Sequence, residues 1–284
     1  MTDAVSAALA LAALAGVLSG VLLLAARFLR VAEDPRLEQL VSLLPGTNCG
    51  ACGYAGCRDF AAALLAGEVA PARCSVSSPA ARRHIAGFLQ VDVGIAERRV
   101  ARLACAGDRD TAPPQAVYMG EPQCAAAAVV GGGGKACAWG CLGFGDCERA
   151  CDFDAIRMSP NGLPAVDEAR CTACGDCVRA CPRDLFGIVP ATQRLWVACN
   201  NPLAGNQVLD ACQVACTACG RCVQDAPGWL HLQHNLPRGI EGATGSPPHA
   251  AIDRCPTGAI VWFSKGRAER GAVARRPRPA STVG

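Results

Sequence analysis

The run Cys171-Thr172-Ala173-Cys174-Gly175-Asp176-Cys177-Val178-Arg179-Ala180-Cys181-Pro182 decides the fold of the central region. Its first three cysteines follow one another at three-residue steps, a spacing that wraps one corner of a cubane iron–sulfur cluster. The fourth, Cys181, precedes a proline, and in two-cluster ferredoxins such a cysteine ligates the other cluster. A zinc site is the alternative, but zinc usually takes two well-separated cysteine pairs and gives the Cys-Pro ending no role. The run therefore predicts [4Fe-4S] clusters and electron transfer.

Composition favours metal clusters over a disulfide scaffold. The chain has 284 residues and 20 cysteines, many of them in Cys-x-x-Cys runs, whereas disulfide scaffolds are typical of short secreted chains. The net charge is +3, and the last twenty residues alone carry +5. Because the remainder is slightly acidic, we expect no nucleic-acid partner.

Residues 4–26 form an apolar run without a charged side chain. At about 1.5 Å per residue, a helix of this length crosses a bilayer core of about 30 Å. Arg27 and Arg30 follow the run and Asp3 precedes it, so the positive-inside rule places the rest of the chain in the cytoplasm. A cleaved signal peptide is the alternative, but it requires a basic start and a shorter apolar run. We predict a single-pass anchor at residues 1–28 in the bacterial inner membrane.

Residues 29–95 are predicted to form a small four-cysteine [4Fe-4S] domain. Its glycine-rich loop runs Asn48-Cys49-Gly50-Ala51-Cys52-Gly53-Tyr54-Ala55-Gly56-Cys57, and glycine allows the backbone to fold tightly around a cluster. The predicted ligands are Cys49, Cys52, Cys57 and Cys74. A zinc knuckle fits less well because three cysteines crowd into nine residues. We predict helices from Arg58 to Ala66 and, capped by Ser78, from Pro79 to Gln90.

Residues 96–264 repeat a cysteine frame, which indicates cluster-binding units placed side by side. The matching segments are Leu103-Ala104-Cys105 with Val197-Ala198-Cys199, Cys137-to-Cys141 with Cys212-to-Cys216, and Cys151-to-Ile156 with Cys255-to-Ile260. The Ala-Ile ends of the last pair predict short strands. The expected fold class is therefore α+β, with a transmembrane helix, a four-cysteine domain and tandem ferredoxin-type repeats. Residues 265–284 are predicted to form a basic disordered tail.

The repeats are predicted to hold three clusters, which makes four with the first domain. The first of these three sets is Cys137, Cys141, Cys147 and Cys181, with Cys137 recruited because Phe144 replaces a middle cysteine. The second set is Cys151, Cys171, Cys174 and Cys177. The third is Cys216, Cys219, Cys222 and Cys255. The last repeat is predicted to keep one cluster, because Ala226 stands at the position of a further cysteine.

Four other cysteines match no cluster run: Cys105, Cys124, Cys199 and Cys212. Buried free thiols are the expected interpretation, and one additional cluster is the alternative. The stretch from Gly131 to Lys135 lacks the Ser or Thr of a phosphate loop, so it indicates a tight approach to the cluster bound by Cys137. The chain has no Gly-x-Gly-x-x-Gly motif, which argues against a nicotinamide or flavin site. We predict no catalytic residue.

The order of these parts resembles that of the Rnf complex B subunits. The resemblance rests on the apolar N-terminal segment, the Asn-Cys-Gly-x-Cys-Gly-Tyr-x-Gly-Cys loop, the ferredoxin repeats and Gly140-Cys141-Leu142-Gly143. It implies an electron-transfer component of a membrane translocase that couples electron flow between ferredoxin and NAD to ion transport. The other components of the complex and soluble ferredoxin are the implied partners. The chain departs from the family near its C-terminus and at Asp152, where the family often has proline.

Two other functions remain open from the sequence. In the first, an Rnf-like relay with the same clusters supplies low-potential electrons for nitrogen fixation or reduces a redox-sensing regulator. A function of another class, a zinc-binding interaction module, would keep the cysteines and lose the electron transfer.

Overall fold

The structure is a computed structural model that describes residues 2–28, 34–240, 243, 246–264 and 267–271. The helices are α1 (Thr2–Phe28), α2 (Pro35–Leu43), α3 (Cys57–Leu65), α4 (Pro79–Leu89), α5 (Cys124–Val129), α6 (Asp146–Arg149), α7 (Asp176–Ala180), α8 (Val208–Ala211), α9 (Arg221–Asp225) and α10 (Ala250–Asp253). The strands are β1 (Arg99–Leu103), β2 (Ile156–Met158), β3 (Pro164–Val166), β4 (Phe186–Pro190), β5 (Leu195–Val197), β6 (Leu230–Gln233), β7 (Leu236–Gly239), β8 (Ile260–Ser264) and β9 (Arg267–Glu269). A long apolar helix followed by mixed short helices and strands confirms the predicted α+β class.

Helix α1 exposes its apolar side chains. Its stretch Leu9–Phe28 has a mean hydropathy of 2.5 and is long and apolar enough to cross a membrane. Leu22 is 69% exposed and Leu23 is 72% exposed. Removing such side chains from water is favourable by about 25 cal/mol per Å². The helix therefore suits lipid, and it contains the whole of the apolar run predicted at residues 4–26.

Helices α2, α3 and α4 form a small domain around one apolar core. Leu40 and Ile85 are fully buried there, and Phe60 is 1% exposed. The Ser78 hydroxyl oxygen accepts a hydrogen bond from the backbone N–H of Ala81 at 3.1 Å, which confirms the predicted cap of α4.

Two ferredoxin-type units follow, each closed by an antiparallel strand pair. In the first unit (residues 99–190), β1 pairs with β4, and the β2–β3 hairpin lies between them in sequence. In the second unit (residues 195–264 with β9), β5 pairs with β8, and the β6–β7 hairpin lies between them in sequence. Strands β2 and β8 begin at Ile156 and Ile260, as the Ala-Ile runs predict. Each closing pair joins segments that are distant in sequence.

Strand β9 lies inside the stretch predicted as a tail. Residues Arg267–Glu269 pair antiparallel with the end of β8. They extend the sheet because the edge of β8 opposite β5 offers free backbone hydrogen-bonding groups. The rest of the predicted tail is described only as far as residue 271, and residues 272–284 lie outside the described part of the chain.

Arg102 and Trp196 connect the two units. The indole N–H of Trp196 on β5 donates to the backbone oxygen of Leu103 on β1 at 2.8 Å. The Arg102 guanidinium lies 3.7 Å from the centre of the Phe263 ring and pairs with Glu168 at 2.7 Å. Arg102 is 2% exposed, and burial lowers its pKa because it disfavours the charged form, while Glu168 acts in the opposite direction.

The four glycines at 131–134 form a tight turn in which every φ is positive. A Cβ on Gly134 would lie 2.1 Å from the backbone oxygen of Ala116, so this approach of two backbones requires glycine. The next residue, Lys135, extends its Nζ to the backbone oxygen of Gly107 at 2.8 Å. The close approach at Gly134 is therefore to the backbone of Ala116 and not to a cysteine.

Candidate iron–sulfur sites

Four cysteines line one cavity of the first unit. This group, the Cys151 set, consists of Cys151, Cys171, Cys174 and Cys177. Ala101, Ile156 and Ile188 contribute apolar walls. The backbone N–H of Ala101 on β1 donates to Sγ of Cys171 at 3.4 Å, and hydrogen bonds to sulfur tune the potential of a cluster. The structure thus brings together the members of the set predicted around the Cys171 run.

A second cavity of the first unit is lined by the Cys124 set. Its members are Cys124, Cys141, Cys147 and Cys181. Cys181 lines this cavity, whereas the three cysteines that precede it in the run line the other one. This is the crossed arrangement that the Cys-Pro spacing predicts. Burial raises the pKa of Cys147 to about 12, and Cys177 of the neighbouring set contributes to that rise. The two sets therefore lie within electrostatic range of each other.

The sequence predicts Cys137 as a member of this set, but the structure places Cys124 there instead. Cys124 begins α5, where the Asp146 carboxylate accepts hydrogen bonds from the N–H of Cys124 at 2.8 Å and of Ala125 at 3.0 Å. These bonds hold the start of α5 against α6, which carries Cys147. Cys137 lies in a separate buried core.

One signal in the sequence points to a remote ligand such as Cys124. Phe144 occupies the middle position of a run that begins at Cys141, so this run supplies one sulfur fewer than the others. Spacing alone does not say which cysteine replaces it, since Cys124 and Cys137 both precede the run. The choice depends on which of the two the fold places beside Cys147.

The second unit contains a third cavity, lined by the Cys216 set. Its members are Cys216, Cys219, Cys222 and Cys255. Val197 and Ile260, from the paired strands β5 and β8, contribute apolar walls. Burial raises the pKa of Cys222 to about 12, and the other three members raise it further. All four cysteines predicted for this set therefore face one another.

The three cysteine runs share one backbone path. The third residue of each run has a positive φ: +79° at Gly143, +59° at Ala173 and +57° at Ala218. The fifth residue of each run is a glycine with positive φ, at 145, 175 and 220, and it precedes a short helix. An alanine in this region costs about 1–2 kcal/mol, so Ala173 and Ala218 indicate a backbone held in place by the site.

The turns that follow Cys151, Cys181 and Cys255 also have the same backbone conformation. Asp154, Asp184 and Gly258 each stand three residues after a cysteine and have φ of +51°, +50° and +69°. The N–H groups of Asp154 and Asp184 donate to the carbonyl of that cysteine at 3.3 Å and 3.2 Å. Asp152, in the place of proline, therefore leaves this turn unchanged.

The small N-terminal domain holds the Cys49 set. Its members are Cys49, Cys52, Cys57 and Cys74. Burial raises the pKa of Cys52, and both Cys74 and Cys49 raise it further. The Ser77 hydroxyl donates to Sγ of Cys74 at 3.1 Å. Cys49, Cys52 and Cys74 therefore lie close to one another.

Asn48 positions the loop of the Cys49 set. Its side-chain oxygen accepts a hydrogen bond from the N–H of Cys57 at 2.8 Å, at the start of α3. A Cβ on Gly56 would lie 2.9 Å from the same oxygen, so this contact favours glycine at 56. The bond brings the start of the loop against Cys57.

A [4Fe-4S] cluster and a single zinc ion place their sulfur ligands differently. Among the described residues, which include every cysteine, no group of three or more His, Cys, Asp or Glu side chains lies close enough to hold one metal ion. A tetrahedral zinc site needs its sulfurs about 2.3 Å from one point. A [4Fe-4S] cluster binds each thiolate through a different iron and so accepts sulfurs that lie further apart. Each set has four cysteines, the number and type of ligands that a [4Fe-4S] cluster takes.

Burial also raises the pKa of several of these thiols, because it disfavours the charged thiolate. The thiols whose pKa is raised to about 12, chiefly by burial, include Cys141, Cys147, Cys177, Cys216 and Cys222. Such thiols keep their protons at neutral pH, whereas a metal ligand is the thiolate. Binding of iron would therefore release protons and stabilise the fold around each set.

Four buried or half-buried cysteines remain outside these sets: Cys105, Cys137, Cys199 and Cys212. Cys137, Cys199 and Cys212 are each 7% exposed and belong to one core. The sequence predicts free thiols at three of these four positions and a cluster ligand at Cys137. Every other cysteine belongs to a set of four.

These sites and the strand pairs define a ferredoxin-type iron–sulfur protein with an additional four-cysteine domain. The family model described as "Putative Fe-S cluster" matches residues 44–76. The family model described as "4Fe-4S binding domain" matches residues 163–188. The first match covers all four cysteines of the Cys49 set, and the second covers the Cys171 run.

The chain is similar over most of its length to the B subunits of ion-translocating complexes. It is 37% identical over 239 residues to the B subunit of the proton-translocating ferredoxin:NAD(+) oxidoreductase complex of Clostridium ljungdahlii, which is 82% of this chain and 83% of that protein. It is 30% identical over 240 residues to the B subunit of the ion-translocating oxidoreductase complex of Methanosarcina acetivorans, or 84% of this chain and 90% of that protein.

A third relative is the B subunit of the Na(+)-translocating ferredoxin:NAD(+) oxidoreductase complex of Acetobacterium woodii. The two are 37% identical over 201 residues, which is 70% of this chain. The chain spans 60% of the length of that protein. The chain belongs to the family of Rnf complex B subunits, and the resemblance found in the sequence is confirmed.

Proposed function

We propose that this chain relays single electrons as the membrane-anchored B subunit of an Rnf-type complex. Soluble ferredoxin would exchange electrons with this chain. The chain would in turn exchange electrons with the other subunits of the complex, which are linked to NAD and ion transport. All three relatives are named as subunits of an ion-translocating complex, which supports membership in such a complex. Two of the names also contain ferredoxin and NAD(+), which supports these two as the electron-exchange partners.

The observation that carries this proposal is the grouping of sixteen cysteines into four sets: the Cys49, Cys124, Cys151 and Cys216 sets. Three of these sets line cavities with apolar walls, and two of them adjoin within the first unit. A [4Fe-4S] cluster supplies reversible one-electron chemistry at low potential. Sites placed side by side suit the transfer of electrons along the chain.

Three kinds of group in the protein contribute to this function: cysteine thiolates, backbone N–H groups and apolar side chains. The cysteine thiolates bind iron. Backbone N–H groups such as that of Ala101 donate to sulfur and so stabilise the more negative, reduced state. Apolar walls from Ile156, Ile188 and Leu185 exclude water, which keeps the potential low.

Helix α1 would anchor the protein in the membrane. The arginines after the apolar run support a cytoplasmic location for all the cysteine sets. Deleting residues 1–28 should give a water-soluble protein that keeps its iron, because the first ligand in the chain is Cys49. Fractionation and the visible absorbance of the truncated protein check this, and loss of absorbance would contradict the modular arrangement.

Metal analysis tests the electron-transfer proposal against the zinc alternative. Anaerobically purified protein should contain iron and acid-labile sulfide in equal amounts, about four of each per cluster. Stoichiometric zinc without sulfide would contradict the proposal.

A second experiment tests the partner. Anaerobic stopped-flow mixing with reduced ferredoxin should bleach the visible absorbance of the oxidised protein, with a rate that increases with ferredoxin concentration. If dithionite bleaches the protein and reduced ferredoxin of lower potential does not, the assignment of ferredoxin as a partner fails.

A further inference from the structure

We propose that Cys105, Cys137, Cys199 and Cys212, here called the Cys105 set, hold a fifth [4Fe-4S] cluster between the two ferredoxin units. The inference rests on the proposed function, since it assumes that the other sets hold clusters. The four cysteines are the ones that lie outside the Cys49, Cys124, Cys151 and Cys216 sets, and with them all 20 cysteines fall into five sets of four.

Gly107 brings two of the four sulfurs together. A Cβ on Gly107 would lie 2.9 Å from Sγ of Cys212 and 3.9 Å from Sγ of Cys105. Both sulfurs therefore flank the same glycine, although their residues belong to different units. The backbone N–H of Gln213 donates to the backbone oxygen of Thr111 at 2.8 Å and holds the two segments in this position.

The remaining two cysteines lie within electrostatic range of that pair. Burial raises the pKa of Cys212 to about 12, and Cys105, Cys137 and Cys199 raise it further. Burial also raises the pKa of Cys199, with further contributions from Cys105 and Cys137. Cys137, Cys199 and Cys212 also pack in one buried core.

The two units supply matching halves of this site. In the first unit, the N–H of Cys141 donates to Sγ of Cys105 at 3.4 Å. In the second unit, the N–H of Cys216 donates to Sγ of Cys199 at 3.3 Å. Cys137 and Cys212, which complete the site, stand four residues before Cys141 and Cys216 respectively. The shared N–H···S bond shows that the repeated cysteines occupy equivalent positions.

The closing strands explain this symmetry. Cys105 follows β1 and Cys199 follows β5, and the residue before each cysteine makes the same backbone bond. The N–H of Ala104 donates to Leu185 at 2.7 Å, and that of Ala198 donates to Ala259 at 2.7 Å. Each cysteine is therefore placed by the strand pair of its own unit, and the site forms where the units meet.

The surroundings also suit a cluster. Small side chains belong to the same buried core as three of the cysteines: Ala106, Ala112, Ala198 and Ala215. The half-buried ammonium of Lys135 donates to the backbone oxygen of Gly107 at 2.8 Å, and Gly107 lies beside the sulfurs of Cys105 and Cys212. A cation here would stabilise the negative charge of a thiolate-bound cluster.

The position of the Cys105 set gives it a role. It touches the Cys124 set through Cys105 and Cys141, and it touches the Cys216 set through Cys199 and Cys216. The Cys105 set therefore lies between a set of the first unit and the set of the second unit. A redox group held there would connect sites that otherwise belong to separate units.

Counting metal in the unmodified full-length protein tests the proposal directly. Anaerobic native mass spectrometry and iron and sulfide analysis of detergent-purified chain should give five clusters, about 20 irons and about 20 sulfides. Four clusters, with about 16 irons, would overturn the fifth site and leave the proposed function intact. Zinc without sulfide would overturn the proposed function itself.

Variants then test which residues hold the additional cluster. Cys199→Ala and Cys212→Ala should each lose about four irons and retain four clusters. The matched control is Val214→Ala, which removes volume from the same core, where Val214 is 2% exposed, without removing a sulfur. The control should keep the iron of the parent protein. The same loss in Val214→Ala, or no loss in the cysteine variants, would overturn the assignment.

A redox titration followed by electron paramagnetic resonance gives an independent readout. Lys135→Met removes the positive charge near Cys105, so adding an electron becomes less favourable and the potential of one cluster should become more negative. Iron content should remain that of the parent. Arg83→Met, at an exposed position on α4, is the control and should leave all potentials unchanged. Unchanged potentials in Lys135→Met would contradict a cluster at the Cys105 set.

Discussion

The two ferredoxin units share one arrangement of strand pairs and cysteine runs, but they differ in how many cysteine sets and how many apolar side chains they contain. The first unit contains the Cys124 and Cys151 sets, whereas the second contains the Cys216 set. Cys151 stands four residues after Cys147, and the residue four after Cys222 is Ala226, which is fully buried. The β6–β7 hairpin that follows buries Leu230 and Leu236. Apolar side chains thus occupy the second unit where the first has a cysteine site.

This difference shows that ligation and apolar burial can replace each other. The described core of the first unit contains few large apolar side chains, chiefly Ile156 and Phe186, and it includes Cys147 and Cys177. The core that includes the second unit is much larger and contains Leu195, Leu230, Leu236, Ile252 and Ile260. Metal ligation supplies folding free energy in small domains, and burial supplies about 25 cal/mol per Å². The first unit should therefore depend more on its iron.

Removal of all clusters should have the largest effect. Ligation of a structural metal contributes about 10–16 kcal/mol in small domains, more than their apolar core alone. In the iron-free protein, amide exchange should become fast at β1 and β4, whereas β5 and β8 should keep measurable protection. Anaerobic hydrogen–deuterium exchange before and after chelation measures this. Equal loss of protection in both units would contradict the comparison.

Loss of single ligands should affect one unit at a time. Cys255→Ala should remove the cluster of the Cys216 set, about four irons, and leave the first unit unchanged. Cys181→Ala is the counterpart and should remove the cluster of the Cys124 set while the Cys151 set keeps its own. Electron paramagnetic resonance and iron analysis distinguish these outcomes. If Cys181→Ala removed the cluster of the Cys151 set instead, the crossed arrangement would be wrong.

Arg102→Met should weaken the junction between the units. It removes the contact with Phe263 of the second unit and leaves Glu168 of the first unit without its partner. Because Glu168 is 23% exposed, losing this pair should cost less than the about 3–5 kcal/mol of a fully buried pair. Urea denaturation of the anaerobic protein measures the free energy of unfolding. Arg58→Met is the control, since the pair between Arg58 and Glu38 is exposed and contributes at most about 1 kcal/mol. Equal effects of both variants would show that the junction adds little.

Trp196→Phe should have the smallest effect. It removes the hydrogen bond to Leu103, a loss of about 0.5–1.5 kcal/mol, and keeps most of the aromatic packing. The free energy of unfolding should fall by this amount with all the iron retained. A loss of iron would show that the junction also controls the Cys105 set.

Local features of this protein could be predicted from the sequence because their causes lie within a few residues. The Cys171 run folds around its site through its own spacing, and Ser78 caps α4 through a bond that spans three residues. The apolar segment contained in α1 is likewise a local property, since length and hydropathy are enough for a membrane span. The absence of a cysteine from Ile240 to Arg254 is also visible without a structure.

The partners of the isolated cysteines were decided only by the tertiary structure. Cys124 and Cys137 are both buried cysteines upstream of Cys141, and nothing in their spacing assigns one to Cys147 and the other to Cys212. The assignment comes from bonds between distant segments, such as those from Asp146 to the start of α5 and from Gln213 to Thr111. Long-range contacts of this kind depend on how β1 pairs with β4 and β5 with β8, because those pairs fix where each cysteine lies in space.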